Sequence, residues 1–144
     1  PFGEVYLEAG IEHRSMRKEL PMSSTEVVQA FMKAAAVRDY DAAFALVTDD
    51  IEYQNMMLPA VHGKDAVRET LEGLLALCTD SEWVVHREVA DGDLVMNERT
   101  DRFEIGGTWV DLPVAGVFEV RDGRIALWRD YFDLPTIMNA MPTG

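Results

Sequence analysis

The sequence predicts an α+β domain in which three to four helices cover one face of a strongly curved, mostly antiparallel sheet. Two observations carry that expectation. Apolar residues recurring at three- and four-residue steps crowd into the first half of the chain, as in amphipathic helices. The second half alternates apolar and polar residues in long runs separated by Asp-Gly or Gly-Gly pairs, as in strands joined by tight hairpins. Helices placed before long strands, instead of between them, indicate segregated helical and sheet layers.

The elements follow in order. Ser23 or Ser24 caps a first helix whose Val27, Val28, Phe31, Met32 and Ala35 form one apolar stripe. A second, short helix is expected from Tyr40 to Val47, started by Asp39 or Asp41 and released by Thr48-Asp49-Asp50 into a strand holding Tyr53 and Asn55. Met56 to Ala60 reads as a loop. Gly63-Lys64-Asp65 opens a third helix with Val67, Leu71, Leu74, Leu75 and Cys78 on one face, broken by Thr79-Asp80-Ser81. A meander is then expected: Glu82 to Val89, Leu94 to Ile105, Thr108 to Val120 and Arg124 to Phe132. Its turns fall at Asp91-Gly92-Asp93, Gly106-Gly107 and Asp122-Gly123. A last helix is expected from Pro135 to Met141.

Length and composition bound the function. A chain of 144 residues with 48% hydrophobic content fits one domain with a real core. Residues 22–144 are read as that domain and 1–21, with an apolar alternation at Phe2, Val5, Tyr6 and Leu7, as an N-terminal extension without an assigned role. The net charge of −13 repels phosphate backbones and anionic lipid, so neither nucleic acid nor membrane is an expected partner, and the acid is read as a solvated surface. Cys78 is the single cysteine, which rules out an intrachain disulfide or a thiolate metal cluster. Following Leu74, Leu75 and Leu77, it reads as a small buried hydrophobe and not as a nucleophile. His13, His62 and His86 are scattered without a ligand pattern, so no metal is expected. No apolar run approaches the roughly 18 residues of a membrane helix, and no basic-then-apolar signal region opens the chain. A cytoplasmic location is therefore the expectation.

Three stretches set polar side chains into this apolar frame: Tyr53-Gln54-Asn55, Arg99-Thr100-Asp101 and Trp128-Arg129-Asp130-Tyr131-Phe132-Asp133. Residues i and i+2 of a strand share a face, so Tyr53 points with Asn55, Arg99 with Asp101, and Asp130 with Trp128 and Phe132. Two carboxylates, a guanidinium, a phenol and a carboxamide can supply a base, an acid, a bridge between them and two groups that hold a water. Taken singly, the Arg99 and Asp101 pair fits an exposed cross-strand ion pair, and Tyr53 or Asn55 fits a sheet-edge hydrogen bond. Asp130 differs: an acid between two aromatic residues needs a partner when buried, and Arg99 on a neighbouring strand is a natural one. Glu98, Arg102, Arg129 and Asp133 fall on the opposite face by alternation.

These stretches occur together with Tyr53-Gln54-Asn55-Met56, Gly63-Lys64-Asp65-Ala66-Val67, Asn97-Glu98-Arg99-Thr100-Asp101 and Gly116-Val117-Phe118 in one order and spacing. In this combination the chain resembles the limonene-1,2-epoxide hydrolase family, from near Ser23 to near Met141. The resemblance implies the cone-shaped fold shared with nuclear transport factor 2, a homodimer, and hydrolysis of an apolar epoxide to a vicinal diol with no cofactor. It implies Asp130 as base, Tyr53 and Asn55 as holders of the water, Asp101 as the acid and Arg99 between the carboxyls. Val95, Phe103, Leu112, Val114, Phe118, Trp128 and Phe132 would form the cone's wall, closed by Met32, Leu71, Leu74 and Leu75, with Phe103 and Met32 trimming the cavity. Two ionised Asp with one Arg leave a charge of −1 in a poorly solvated pocket, so one shared proton is expected and the pair should titrate as a unit. An isomerase or cyclase of the ketosteroid-isomerase type and a non-catalytic binder of small apolar molecules are the competing readings.

Overall fold

The first described helix, α1 (Ser24–Ala36), begins at a complete capping box. Ser23 Oγ accepts from the Glu26 amide at 3.2 Å and Glu26 Oε1 accepts from the Ser23 amide at 2.9 Å, satisfying two amides that have no partner within the helix. The computed structural model describes residues 22–141, so the extension read at 1–21 lies outside the described residues. Val27, Val28, Phe31, Met32 and Ala35 are all buried, as their spacing requires. Helix α2 (Tyr40–Phe44) is capped by Asp39 and ends before the expected Val47. The Leu46 carbonyl accepts from the Ile125 amide at 2.8 Å, which draws the chain into the sheet one residue before β1 (Val47–Asn55) starts.

A two-residue strand, β2 (Val61–His62), pairs with Glu52 and Tyr53 and was absent from the sequence reading, because alternation has no meaning over two residues. Helix α3 (Lys64–Leu75) buries Val67, Leu71 and Leu75. Strands β3 (Asp80–Asp91), β4 (Leu94–Ile105), β5 (Thr108–Arg121) and β6 (Arg124–Tyr131) form the meander, and α4 (Leu134–Met138) follows it. The hairpin tips carry the backbone that their residues allow: Gly106 and Gly107 both have positive φ, as do Asp122 and Gly123, which is the two-residue turn matched to strand twist.

The six strands lie in the order β2-β1-β6-β5-β4-β3. Every pairing is antiparallel except β1 with β6. At Ile125–Leu127 of β6 the register shifts on both sides: β1 carries extra residues between Val47 and Glu52, and β6 itself has one extra residue, Ala126, against Glu119 and Val120 of β5; a third shift lies in β3 between Val85 and Arg87. Extra residues on one strand of a pair bend it and increase its twist, so these shifts curl the sheet without closing it. Pro113 is tolerated inside β5 because β6 pairs with that strand only from Ala115 onward, leaving Pro113 beside an open edge where no amide is required.

Trp128 is the hub of the core. Phe31 meets it edge-on with centroids 5.1 Å apart, Phe118 stacks at 6.0 Å and Tyr53 lies at 4.3 Å. The helical layer, the sheet and the polar residues described next therefore meet at one side chain. No helix among the described residues is long and apolar enough to cross a membrane.

Candidate active site

On the concave face of the sheet, Arg99 is 1% exposed and Asp101 and Asp130 are each 5% exposed. Asp101 lies two residues along β4 and takes a forked pair of bonds, Arg99 Nε to Oδ1 at 2.7 Å and Nη2 to Oδ2 at 3.1 Å. The same Nη2 donates to Asp130 Oδ2 at 2.6 Å, two strands away on β6. Arg99 Nη1 donates to Asn97 Oδ1 at 3.0 Å. Those bonds use four of the five N–H donors of a guanidinium, which is how a buried arginine escapes the cost of desolvation. Trp128 Nε1 donates to Asp130 Oδ1 at 2.9 Å, a partner that the sequence reading did not assign. Beside them, the Tyr53 hydroxyl donates to Asn55 Oδ1 at 3.1 Å.

Register explains how residues from five strands converge. Glu88, Asn97, Gly116, Asp130 and Asn55 are successive Cα partners across β3, β4, β5, β6 and β1. Arg99 must cross the whole width of β5 to touch Asp130, a span of roughly 9.5 Å for two strand spacings. The residue on β5 beneath that crossing is Gly116, where an added Cβ would fall 2.4 Å from Arg99 Nη1, 2.9 Å from Asn97 Oδ1 and 3.1 Å from Asp130 Oδ1.

Asp101, Asp130, Tyr53 and Asn55 open on a cavity of about 160 Å³. Its walls include Phe103, Leu112, Val114, Trp128 and Phe132 from the sheet side and Leu71, Leu74 and Leu75 from α3. Leu134, Ile137 and Met138 close it from α4, and Trp83 from β3. Cys78 lies in the wall as a buried thiol bonded to the Leu75 carbonyl, with its acidity lowered by burial. Three residues expected in the wall are not there. Val95 and Phe118 are fully buried beneath it. Met32 packs under α1 with its Sδ 3.7 Å from Asn97 Nδ2, behind Arg99, because α1 crosses the sheet on that side of the cluster. The opposite face carries Glu98 paired with Arg87, Arg102 with Glu82 and Asp111, and Arg129 with Glu52.

Residues 22–143 match the limonene-1,2-epoxide hydrolase catalytic domain. The chain belongs to that family. Epoxide hydrolase EphG of Mycobacterium tuberculosis is 38% identical over 117 residues, covering 81% of this chain and 78% of that protein. A solved M. tuberculosis epoxide hydrolase of the limonene-1,2-epoxide hydrolase type superposes with a TM-score of 0.72 at 37% identity, over 82% of this chain and 88% of the other. A SnoaL-like polyketide cyclase from Jannaschia superposes with a TM-score of 0.75 at 20% identity, over 87% of this chain and 96% of the other, a likeness of fold alone. With an NTF2-like protein from Cytophaga hutchinsonii at TM-score 0.68 and 18% identity, over 83% of this chain and 97% of the other, it confirms the cone fold expected from the sequence.

In this family member the electrostatics of the cluster are set by burial. Desolvation pushes the Asp101 carboxyl up to about 6, and the Asp130 charge adds to that rise while the Arg99 guanidinium and its hydrogen bonds oppose it. Burial, reinforced by the Asp130 charge, raises the Tyr53 phenol above its ordinary value, so it keeps its proton. Burial also works against the Arg99 charge, yet the two carboxylates outweigh it and the guanidinium is held more firmly protonated than usual. Among the described residues, no three His, Cys, Asp or Glu side chains group as a metal site.

Proposed function

We propose that this chain is a cofactor-independent hydrolase of small to medium apolar epoxides, acting by direct attack of water. One observation carries the reading: two buried acids share one arginine at the polar base of an otherwise apolar cavity, beside a phenol already committed to a carboxamide. With its O–H given to Asn55 Oδ1, the Tyr53 oxygen keeps lone pairs for one hydrogen of a water, and Asn55, which also lines the cavity, keeps its Nδ2 as a donor for the same water. Asp130 takes the other hydrogen as base; although Trp128 and Arg99 each occupy one lone-pair site, a carboxylate has about four. The water oxygen forms a bond to an epoxide carbon, that carbon's bond to the ring oxygen breaks, and Asp101 donates its proton to the leaving oxygen. The proton on Asp130 then returns to Asp101, restoring one proton between two acids.

The cavity is smaller than the roughly 300–1,000 Å³ of drug-sized sites, which suits a compact substrate. An isomerase of the ketosteroid type needs one proton shuttle and donors for an enolate, and has no use for a second acid bridged to the first or for a water-holding pair. Turnover of several apolar epoxides in 18O-labelled water tests the scheme. The expected result is label in the diol under single-turnover conditions; label in the protein would indicate an ester intermediate and contradict direct water attack. No diol from a broad panel would reject the hydrolase reading. The proposal extends to a homodimer through the outward face of β4, β5 and β6, where Met96, Trp109 and Tyr131 are exposed apolar groups. Sedimentation at micromolar concentration should show a dimer, and a monomer would refute it.

A further inference from the structure

We infer that Asn97, held in place by Glu88, is a positioning residue that aims the Arg99 guanidinium at both acids. This inference rests on the hydrolase reading for its kinetic consequences, while the geometry stands alone. Asn97 lies two residues before Arg99 on the same face of β4, and its Oδ1 accepts from Arg99 Nη1 at 3.0 Å. Its Nδ2 donates to Glu88 Oε2 at 3.1 Å, and Glu88 Oε1 in turn accepts from Gln29 Nε2 at 2.8 Å.

The partners fix which way the amide faces. Arg99 can only donate and an ionised Glu88 can only accept, so the carboxamide has one satisfied orientation. A chain of hydrogen bonds therefore runs from α1 through β3 and β4 into the cluster, and ends on the one guanidinium edge that does not touch an acid. Without it, a guanidinium held by two carboxylates alone can turn toward either one. The charged and titratable groups around Arg99 are Asp101 on its own strand, Asp130 from β6, Tyr53 from β1 and Glu88 from β3 through Asn97, whereas β5 contributes only Gly116 and Val114.

The test compares wild type, Asn97→Ala and the double variant Glu88→Gln with Asn97→Asp. The double variant keeps an acceptor on Arg99 Nη1 and reverses the next bond, so the new glutamine donates to the new carboxylate and accepts from Gln29. In Asn97→Ala, kcat should fall about tenfold or more with KM within about twofold, since a misplaced acid lowers turnover more than binding. The double variant should recover kcat to within about tenfold of wild type. The carboxylate it places near the cluster should also move the alkaline limb of its pH profile upward. Independently of turnover, Arg99 Nη–H exchange followed by NMR should be slow in wild type and the double variant and about tenfold faster in Asn97→Ala. Unchanged kcat in a folded Asn97→Ala, a loss confined to KM, a double variant no better than Asn97→Ala, or equal exchange rates in all three would each overturn the inference. If wild type hydrolyses no epoxide, the hydrolase reading fails and the exchange rates alone decide the role of Asn97.

Discussion

Asp101→Asn should remove epoxide turnover and, at the same time, make the folded protein harder to unfold above about pH 6. The first effect follows from the proposed proton donation. An asparagine keeps the shape and still accepts from Arg99, but it has no acidic proton, and loss of a positioned acid costs about 10²- to 10⁴-fold in kcat/KM. Asp130→Asn should cost as much by removing the base. The second effect is linkage. Burial holds the Asp101 carboxyl at about 6 against an ordinary 3.8. Between those values the folded state binds more protons than the unfolded chain, so this group's contribution to stability is full below the lower value and is lost as pH rises toward the higher one. That is the reverse of an aspartate whose pKa is depressed by its salt bridge. The variant lacks this penalty, so urea unfolding should show it more stable than wild type at pH 8, with that advantage gone below about pH 4, where the carboxyl is protonated in both states. Wild-type kcat/KM should fall about tenfold per pH unit above about 6 as the donor ionises. A stability difference equal at both pH values would contradict the raised carboxyl, and activity retained within about tenfold would contradict the donor role.

The helices and the meander were legible because periodicity reports burial directly: the α1 stripe is buried residue for residue, and β4 runs between the expected Leu94 and Ile105. The i, i+2 pairs were legible for the same reason, since alternation fixes the face of Asp101 and Asp130 without knowledge of any partner strand. What could not be read was register. That Asn97, Gly116 and Asp130 fall in one row depends on turn lengths and on the extra residue Ala126 in β6 opposite Glu119 and Val120, which leave no pattern in the residues themselves. Met32 shows the limit from the other side. Its helical spacing correctly placed it under α1, but spacing does not say where along the sheet the helix crosses, and it packs behind Arg99 instead of in the cavity. Asn97 did carry a signal, its two-residue offset from Arg99, although an asparagine beside an arginine has many surface explanations.

Gly116→Ala is expected to disrupt both fold and site, although the substitution adds one methyl group to a strand whose backbone accepts any residue. Gly116 is not among the residues with positive φ, so no conformational strain arises and the cost is purely one of space. The new Cβ would stand 2.4 Å from Arg99 Nη1, closer than real Cβ atoms approach anything. Arg99 cannot yield cheaply: swinging away lengthens its bonds to Asn97, Asp101 and Asp130 together, and leaves buried charges unpaired. Overpacking a core costs about 1–3 kcal/mol, and breaking a buried ion pair about 3–5 kcal/mol, so a loss of about 3 kcal/mol or more is expected with turnover below detection. Gly73→Ala is the matching control. Gly73 is exposed in the last turn of α3 with nothing within 4 Å of an added Cβ, so the same change should stabilise the protein slightly, by up to about 0.5–1 kcal/mol through helix propensity, and leave turnover intact. Chemical denaturation of both variants reads the contrast, and a Gly116→Ala protein as stable and active as wild type would show that Arg99 does not need the gap in β5 to reach Asp130. The opposite signs expected for one substitution at two glycines place the effect in what lies above the strand, where an arginine crosses from one acid to another.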